Sequence, residues 1–141
     1  MSRPCLRMQA TLENLEPFWV FAEEHALRVG LDERQVKRLE LALEEATVNI
    51  IHHAYGGRGG ELELCCTSVP GGLEIHLVDE GPPFNPLEAP PVDVVTYVTA
   101  HKIGGMGIHL YRNMANGLRY RREGGRNVLT LFFQCSGGDG P

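Results

Sequence analysis

The chain has 141 residues, which is enough for one domain with its own hydrophobic core. Hydrophobic residues make up 43% and charged residues 22%, as in ordinary globular proteins. The formal net charge of −5 disfavours direct nucleic-acid binding, because a phosphate backbone requires a basic surface. No apolar run approaches the roughly 18 residues of a membrane span. The first residues also lack an apolar signal segment, so we expect a cytoplasmic protein.

The cysteines indicate a reducing compartment. We expect all four to be thiols with structural roles rather than disulfide partners: Cys5, Cys65, Cys66 and Cys135. Cys65 and Cys66 are adjacent in a predicted strand, where neighbouring side chains point to opposite faces. They are therefore not expected to bind one metal ion together.

The first half of the chain predicts one strand and two helices. Alternating apolar residues predict a strand over residues 5–11, and apolar residues at helical spacing predict a helix over residues 12–29. Asp32 is a suitable N-cap for a second helix, with Gln35 as its capping-box partner. This helix should extend to about residue 54.

The second half predicts antiparallel strands around a long loop. In chain order we expect strands at 61–68 and 73–79, a loop over 80–103, a helix over 107–116, and a hairpin with strands 119–122 and 128–135. Four arginines near this hairpin are predicted to form a solvated strand face: Arg119, Arg121, Arg122 and Arg126.

These elements indicate an α+β fold. It should be a two-layer sandwich, in which helices cover one face of a mixed, mostly antiparallel sheet. Residues 1–135 would form a single domain and residues 136–141 a flexible tail.

The second predicted helix carries a narrow polar stripe. Glu45 and Asn49 are spaced i and i+4, so they lie on one face, while apolar residues surround most of the helix. They could form the wall of a polar pocket or an exposed outer face, and the sequence leaves both open. His52 and His53 point about 100° apart on a helix, so packing or capping is favoured over a shared metal.

Two further segments have the composition of ligand sites. Asp79 stands where a strand ends, where it can accept a hydrogen bond from an amino group, and Gly81 allows a close approach. The alternative is an ordinary exposed turn. The run Gly104-Gly105-Met106-Gly107 precedes a predicted helix, where free backbone N–H groups favour an anion.

Together, these three segments resemble the boxes of the GHKL superfamily of ATPases and kinases. Glu45 to Asn49 resembles the N box, Asp79 to Phe84 the G1 box, and Gly104 to Gly107 the G2 box. The run Gly105 to Asn116 and the stretch Glu45 to Tyr55 resemble the anti-sigma-factor serine kinase branch. The resemblance extends from about residue 6 to residue 134.

The resemblance implies the Bergerat ATP-binding fold and a role for each matching residue. Glu45 would be the general base, Asn49 would hold Mg²⁺, and Asp79 would accept a hydrogen bond from the adenine amino group. The segment from 85 to 103 would be the ATP lid. The remaining implied nucleotide contacts are Gly81, Phe84, Lys102, Gly104, Gly105, Met106, Gly107, Ile108 and Thr130. Lys102 could instead be a solvated lid residue.

The implied function is phosphoryl transfer from ATP to a serine or threonine of an anti-anti-sigma partner of the STAS type. Sequestration of a sigma factor and a homodimeric state are also implied. Two alternatives are a nucleotide-gated regulator without catalysis and the ATPase or kinase domain of a larger machine. The short chain disfavours the second alternative.

Overall fold

A computed structural model describes residues 4–56, 59–85 and 114–135. In this part of the chain, helices pack on one face of a five-stranded sheet, which confirms the α+β sandwich. The elements are β1 (Cys5–Gln9), α1 (Leu15–Val29), α2 (Glu33–Asn49), β2 (Glu61–Val69), β3 (Gly72–Asp79), β4 (Gly117–Glu123) and β5 (Arg126–Gln134). The strand order is β1-β2-β3-β5-β4. Every described pair is antiparallel, whereas a mixed sheet was expected.

Helix α1 follows a short 3₁₀ turn at Leu12–Asn14. Its buried face consists of Phe18, Ala22 and Ala26, which recur at helical spacing and pack into the core. The helix ends at Gly30, whose φ of 95° is left-handed and favours glycine. The observed helix therefore agrees with the predicted one, apart from its 3₁₀ first turn.

Helix α2 begins with the predicted capping box. The Asp32 carboxylate accepts from the Gln35 N–H at 2.8 Å, and the Gln35 side chain accepts from the Asp32 N–H at 3.0 Å. The helix continues into a π-helical turn, Ile50–Ala54, so its predicted end is correct. A π-helical turn widens the backbone locally and is common at functional sites. This turn directly follows Asn49.

The sheet places two distant segments side by side. Strands β2 and β3 form one hairpin and β4 and β5 another, both as predicted. The hairpins meet through β3 and β5, with Asp79 directly opposite Asn127. Leu77 and Leu129, which also face each other in this register, lie in the core against the helices. Asp79 and Asn127 follow the same alternation, so they lie on the helix-covered face of the sheet.

The cysteine prediction is wrong for one pair. Cys5 and Cys65 face each other across β1 and β2 and form a disulfide. Their proximity comes from the pairing of strands far apart in sequence, which composition does not reveal. Cys66 and Cys135 are buried free thiols, as expected.

Several predicted elements lie outside the described residues. These are the lid beyond Asn85, all but the end of the helix predicted over 107–116, and the tail over 136–141. Gly117, predicted to end that helix, is the first residue of β4. None of the helices in the described ranges has the length and apolar character needed to cross a membrane.

Candidate functional site

The site is centred on Asp79, the last residue of β3. Its side chain is turned toward the helix layer, and the residue is only 3% exposed. Oδ1 accepts from the Gly81 N–H at 2.9 Å and from Asn127 Nδ2 at 2.8 Å. Burial raises the pKa of the Asp79 carboxyl, while these two hydrogen bonds and the charge of Arg122 act in the opposite direction. A buried carboxylate is thus held in one orientation at the end of a strand.

Asn127 connects this carboxylate to the following loop. Its Nδ2 also donates to the Pro82 carbonyl oxygen at 2.9 Å. Its Oδ1 accepts from the Tyr120 hydroxyl at 2.5 Å, the Phe84 N–H at 3.2 Å and Arg122 Nη1 at 3.2 Å. Sequence reasoning missed Asn127. Its position in the sequence could have identified it. Asn127 alternates with Leu129 and later apolar residues of β5, so it is a polar residue on the strand face that points into the core.

Arg122 is an exposed residue, as predicted for the solvated arginine face, but its Nη1 also donates to the Gly81 carbonyl oxygen at 2.7 Å. Arg119 and Arg121 have side chains that are 61% and 53% exposed, in agreement with that prediction. The difference follows from strand alternation, because Arg122 shares its face with Tyr120 and the other two do not.

A cleft opens between helix α2 and the Asp79 end of the sheet. Its wall on the helix side includes Asn49, which is buried to 1% exposure, so the pocket interpretation of the polar stripe holds for Asn49, whereas Glu45 is not among the lining residues. The lining combines polar groups at one end with apolar groups around them: Ala46, Asn49, Ile50, Asp79, Phe84, Tyr120, Asn127 and Leu129. The lining therefore offers both hydrogen-bonding groups and apolar surface to a ligand.

Glu45 lies one helical turn before Asn49 and is half-buried. Its Oε2 atom is buried and has no hydrogen-bond partner among the described residues. Burial, and secondarily the charge of Glu44, raises the pKa of Glu45 to about 7. A carboxyl group with that pKa can accept a proton near neutral pH.

Tyr55 and Gly81 fix the loop that follows Asp79. The Tyr55 hydroxyl donates to the Glu61 carbonyl oxygen at 2.6 Å and accepts from the Glu80 N–H at 2.8 Å. A Cβ atom on Gly81 would lie 2.5 Å from the carbonyl oxygen of Ala54. The close approach predicted at Gly81 is therefore made by the π-helical turn, and the contact of Gly81 with a nucleotide stays a prediction.

Of the two histidines in the π-helical turn, His53 packs on a neighbouring ring and His52 is exposed. His53 stacks on Phe84 with ring centroids 5.2 Å apart. Burial, together with the neighbouring charge of His52, lowers the pKa of His53. In the described ranges, the one grouping of side chains able to hold a metal is Cys5, Glu63 and Cys65, and its two sulfurs are bonded to each other.

The structure thus brings Asn49, Asp79 and Phe84 to one cleft, with Glu45 one turn from Asn49 and Gly81 in the adjoining loop. Thr130 is not in the cleft. Its hydroxyl pairs with His76 Nδ1 at 3.1 Å on the opposite face of the sheet, because it alternates with core residues. Six predicted contacts lie outside the described residues: Lys102, Gly104, Gly105, Met106, Gly107 and Ile108.

Comparison with known proteins agrees with this architecture. Residues 8–133 match the histidine kinase-like ATPase domain family. The chain belongs to that family. The resemblance inferred from the three boxes is thereby confirmed, and the cleft lies within an ATPase domain.

Similar members of the family are named protein kinases. The chain is 29% identical over 127 residues to the serine/threonine-protein kinase BtrW of Bordetella bronchiseptica, covering 89% of this chain and 88% of that protein. It is 28% identical to the serine-protein kinase RsbW of Bacillus pumilus and 27% identical to that of Bacillus subtilis. Each of these two matches covers 77% of this chain and 71% of the relative.

A solved structure shares the fold. The crystal structure of the RsbU and RsbW domains of a Mycobacterium tuberculosis protein superposes with a TM-score of 0.62 at 15% sequence identity. The match covers 93% of this chain and 32% of that longer chain. At this identity the likeness concerns the fold alone.

Proposed function

We propose that this ATPase-family protein is an anti-sigma-factor-type protein kinase that uses Mg²⁺ and ATP. It would transfer the γ-phosphoryl group to a serine or threonine of a STAS-type anti-anti-sigma partner and can also sequester a sigma factor. The observation that carries the proposal is Glu45, whose carboxyl group has a raised pKa and an unpartnered buried oxygen one turn from Asn49. A module that only binds nucleotide has no need of such a base.

The chemistry of the residues that line the cleft supports a site for the adenine ring of ATP. Asp79 Oδ1 is already occupied by two donors from the protein, so the carboxylate is fixed before any ligand binds. Its second oxygen is the natural acceptor for an exocyclic amino group. Ala46, Ile50 and Leu129 supply apolar surface for the ring faces. Lys102 and the segment Gly104 to Ile108 remain the proposed phosphate contacts.

Asn49 is the proposed Mg²⁺ ligand. Its side-chain amide offers an oxygen, the ligand atom that Mg²⁺ prefers, and it lies in the cleft on the same helical face as Glu45. When bound, the metal would neutralise charge on the ATP phosphates. The helix alone sets the separation of metal ligand and base, because the two residues are four apart.

Glu45 is the proposed general base. It would accept the proton of the attacking hydroxyl as the oxygen–phosphorus bond forms, and general acid–base catalysis of this kind contributes about 10²- to 10⁴-fold. A pKa of about 7 leaves a substantial fraction of the group ionised at neutral pH while keeping it basic enough to accept the proton.

The proposed partners follow from the kinases that the chain resembles. They are a STAS-domain protein as phosphoryl acceptor, a sigma factor as a second binding partner, and a second copy of this chain in a homodimer. ATP and sigma factors are cytoplasmic species, so the proposal places the protein in the cytoplasm.

The test is phosphoryl transfer from radiolabelled ATP to candidate STAS proteins from the same genome. Glu45→Gln should reduce transfer by at least about 10²-fold while ATP binding persists. Glu44→Gln, one residue away, is the matched control and should remain within a few-fold of the wild type. Equal transfer by wild type and Glu45→Gln would contradict the proposed base. ATP binding without transfer to any partner would favour the non-catalytic regulator.

A further inference from the structure

A bonded pair of sulfurs lies at the edge of the sheet, outside the candidate site. Cys5 is in β1, one of the two edge strands of the described sheet, and Cys65 is its direct partner in β2. The adjacent register position is hydrogen-bonded, with the Cys66 N–H donating to the Pro4 carbonyl oxygen at 2.9 Å. Cys5 and Cys65 therefore occupy a non-hydrogen-bonded position, where opposing side chains approach each other most closely.

The two sulfurs differ in accessibility. Cys5 is an exposed residue, whereas Cys65 is only 1% exposed. Thiol–disulfide exchange requires a thiolate to reach one sulfur of the bond from solvent. Within this pair, access therefore favours attack at Cys5, and Cys65 is the sulfur that departs.

Apart from backbone pairing with β2, the other interactions of β1 with the rest of the sheet are modest. Arg7 forms two ion pairs, with Glu61 at 3.7 Å and with Glu63 at 3.6 Å. The guanidinium side chain is 56% exposed, so these pairs contribute little. The strand has only five residues, and its apolar side chains, Leu6 and Met8, are only partly buried. The disulfide is thus a major constraint on this edge strand.

We propose that Cys5 and Cys65 form a reversible redox site that exchanges with small-molecule thiols and disulfides of the glutathione class. In reduction, a small thiolate attacks Cys5 Sγ, the bond to Cys65 breaks, and the Cys65 thiolate takes up a proton. A second small thiolate then attacks the outer sulfur of the mixed disulfide and releases Cys5. One protein disulfide and two thiols become two protein thiols and one small disulfide. Oxidation follows the same steps in reverse.

The first test identifies the sulfur that exchanges. Cys65→Ser treated with oxidised glutathione should accumulate one glutathione at Cys5, because the thiol that resolves the mixed disulfide has been removed. Cys5→Ser should accumulate none at Cys65 in the folded protein. Peptide mass spectrometry after acid quenching locates the adduct. Preferential labelling at Cys65 in Cys5→Ser, with none at Cys5 in Cys65→Ser, would overturn the assignment.

A second test uses the wild-type protein, so it does not depend on how well the variants fold. The protein is equilibrated in buffers with graded ratios of reduced to oxidised glutathione, and differential alkylation then reports which cysteines are reduced. Cys5 and Cys65 should change state together. Cys66 and Cys135, which are buried free thiols, should remain reduced throughout. If Cys5 and Cys65 stay fully oxidised or fully reduced across buffers that span the glutathione range, the pair is not a reversible site.

A third test measures how the disulfide affects thermal stability and the proteolysis of β1. The bond closes a loop with a sequence separation of 60 residues, so reduction should lower the melting temperature by about 10 °C. Trypsin should also cleave faster after Arg7 in the reduced protein, because β1 is freer to leave the sheet. Cys5→Ser is the control and should not respond to reductant. An equal response in Cys5→Ser would overturn the proposal.

Discussion

Asn127 donates its side-chain amide to Asp79 Oδ1 at 2.8 Å, across a pair of residues that face each other in β5 and β3. The second amide proton goes to the Pro82 carbonyl oxygen. Asn127 thereby links the strand that carries the buried carboxylate to the loop that follows it. The orientation of Asp79 depends on a residue 48 positions later in the sequence.

Replacing Asn127 by alanine should disturb this connection. Removal of this side chain leaves several buried donors and acceptors without partners. We therefore expect the free energy of unfolding to fall by about 2 kcal/mol. We also expect ATP affinity to fall by about tenfold, because Asp79 is no longer held in place. Denaturant unfolding and calorimetry measure the two effects. Arg121→Ala, on the exposed face of the same hairpin, should change neither appreciably.

Glu45 should make stability depend on pH. Its pKa in the folded protein, about 7, is above its ordinary value of 4.5, so the folded state binds more protons between these values. The stabilisation is fully present below about pH 4.5 and is lost as pH rises through about 7. Relative to Glu45→Gln, the free energy of unfolding should fall by about 1 kcal/mol from pH 5 to pH 8, after allowance for solvent screening. If the free energy of unfolding depends on pH in the same way in both proteins, the raised pKa of Glu45 is contradicted.

The same group should control the pH dependence of phosphoryl transfer. Only the ionised carboxylate accepts a proton, so the rate should rise through about pH 7. Because the charge of Glu44 helps to raise this pKa, Glu44→Gln should move the rise to lower pH. Single-turnover rates at saturating ATP provide the measurement. If residual transfer in Glu45→Gln still rises through about pH 7, the rise belongs to another group.

Tyr55→Phe should hold the loop after Asp79 less firmly, because it removes the hydroxyl group while keeping the aromatic ring of residue 55. It removes the acceptor for the Glu80 N–H and the donor to the Glu61 carbonyl oxygen. We expect a loss of about 1 kcal/mol in stability and a several-fold weaker affinity for ATP. Tyr55→Leu, which also removes the aromatic ring packed against Gly60, should cost more. Equal ATP affinity in Tyr55→Phe and wild type would exclude a positioning role for the hydroxyl.

Gly81→Ala should displace the loop from the π-helical turn. The new methyl group would lie 2.5 Å from the Ala54 carbonyl oxygen, which cannot retreat as a flexible side chain would. We expect a loss of about 1–3 kcal/mol in stability, together with reduced ATP binding. Gly117→Ala is the control, because its nearest contact would be an ordinary 3.4 Å from Phe132 Cβ. Similar behaviour of the two variants would contradict the close-approach argument.

The sequence predicted the elements whose causes are local. The Asp32 capping box, the end of α1 and both hairpins follow from residues a few positions apart. Likewise, the i to i+4 spacing was enough to place Glu45 and Asn49 on one helical face. Features that depend on pairing between distant strands were missed, because periodicity within one strand does not give its neighbour. These include the contact of Asn127 with Asp79 and the bond between Cys5 and Cys65.

Thr130 shows how strand alternation corrects an assignment made from a resemblance. Thr130 was assigned near the adenine, yet its hydroxyl pairs with His76 on the opposite face of the sheet. The direction of the Thr130 side chain follows from counting along the strand from its core residues.

The central claim is that the cleft at Asp79 binds the adenine of ATP. Calorimetric titration of ATP, with and without Mg²⁺, into wild type, Asp79→Asn and Glu80→Gln tests it most directly. We predict Mg²⁺-dependent binding that Asp79→Asn weakens by at least about tenfold, because its amide replaces an acceptor oxygen with a donor. Glu80→Gln, the adjacent control, should bind like the wild type. Absence of ATP binding in the wild type, or equal affinity in Asp79→Asn, would contradict the account.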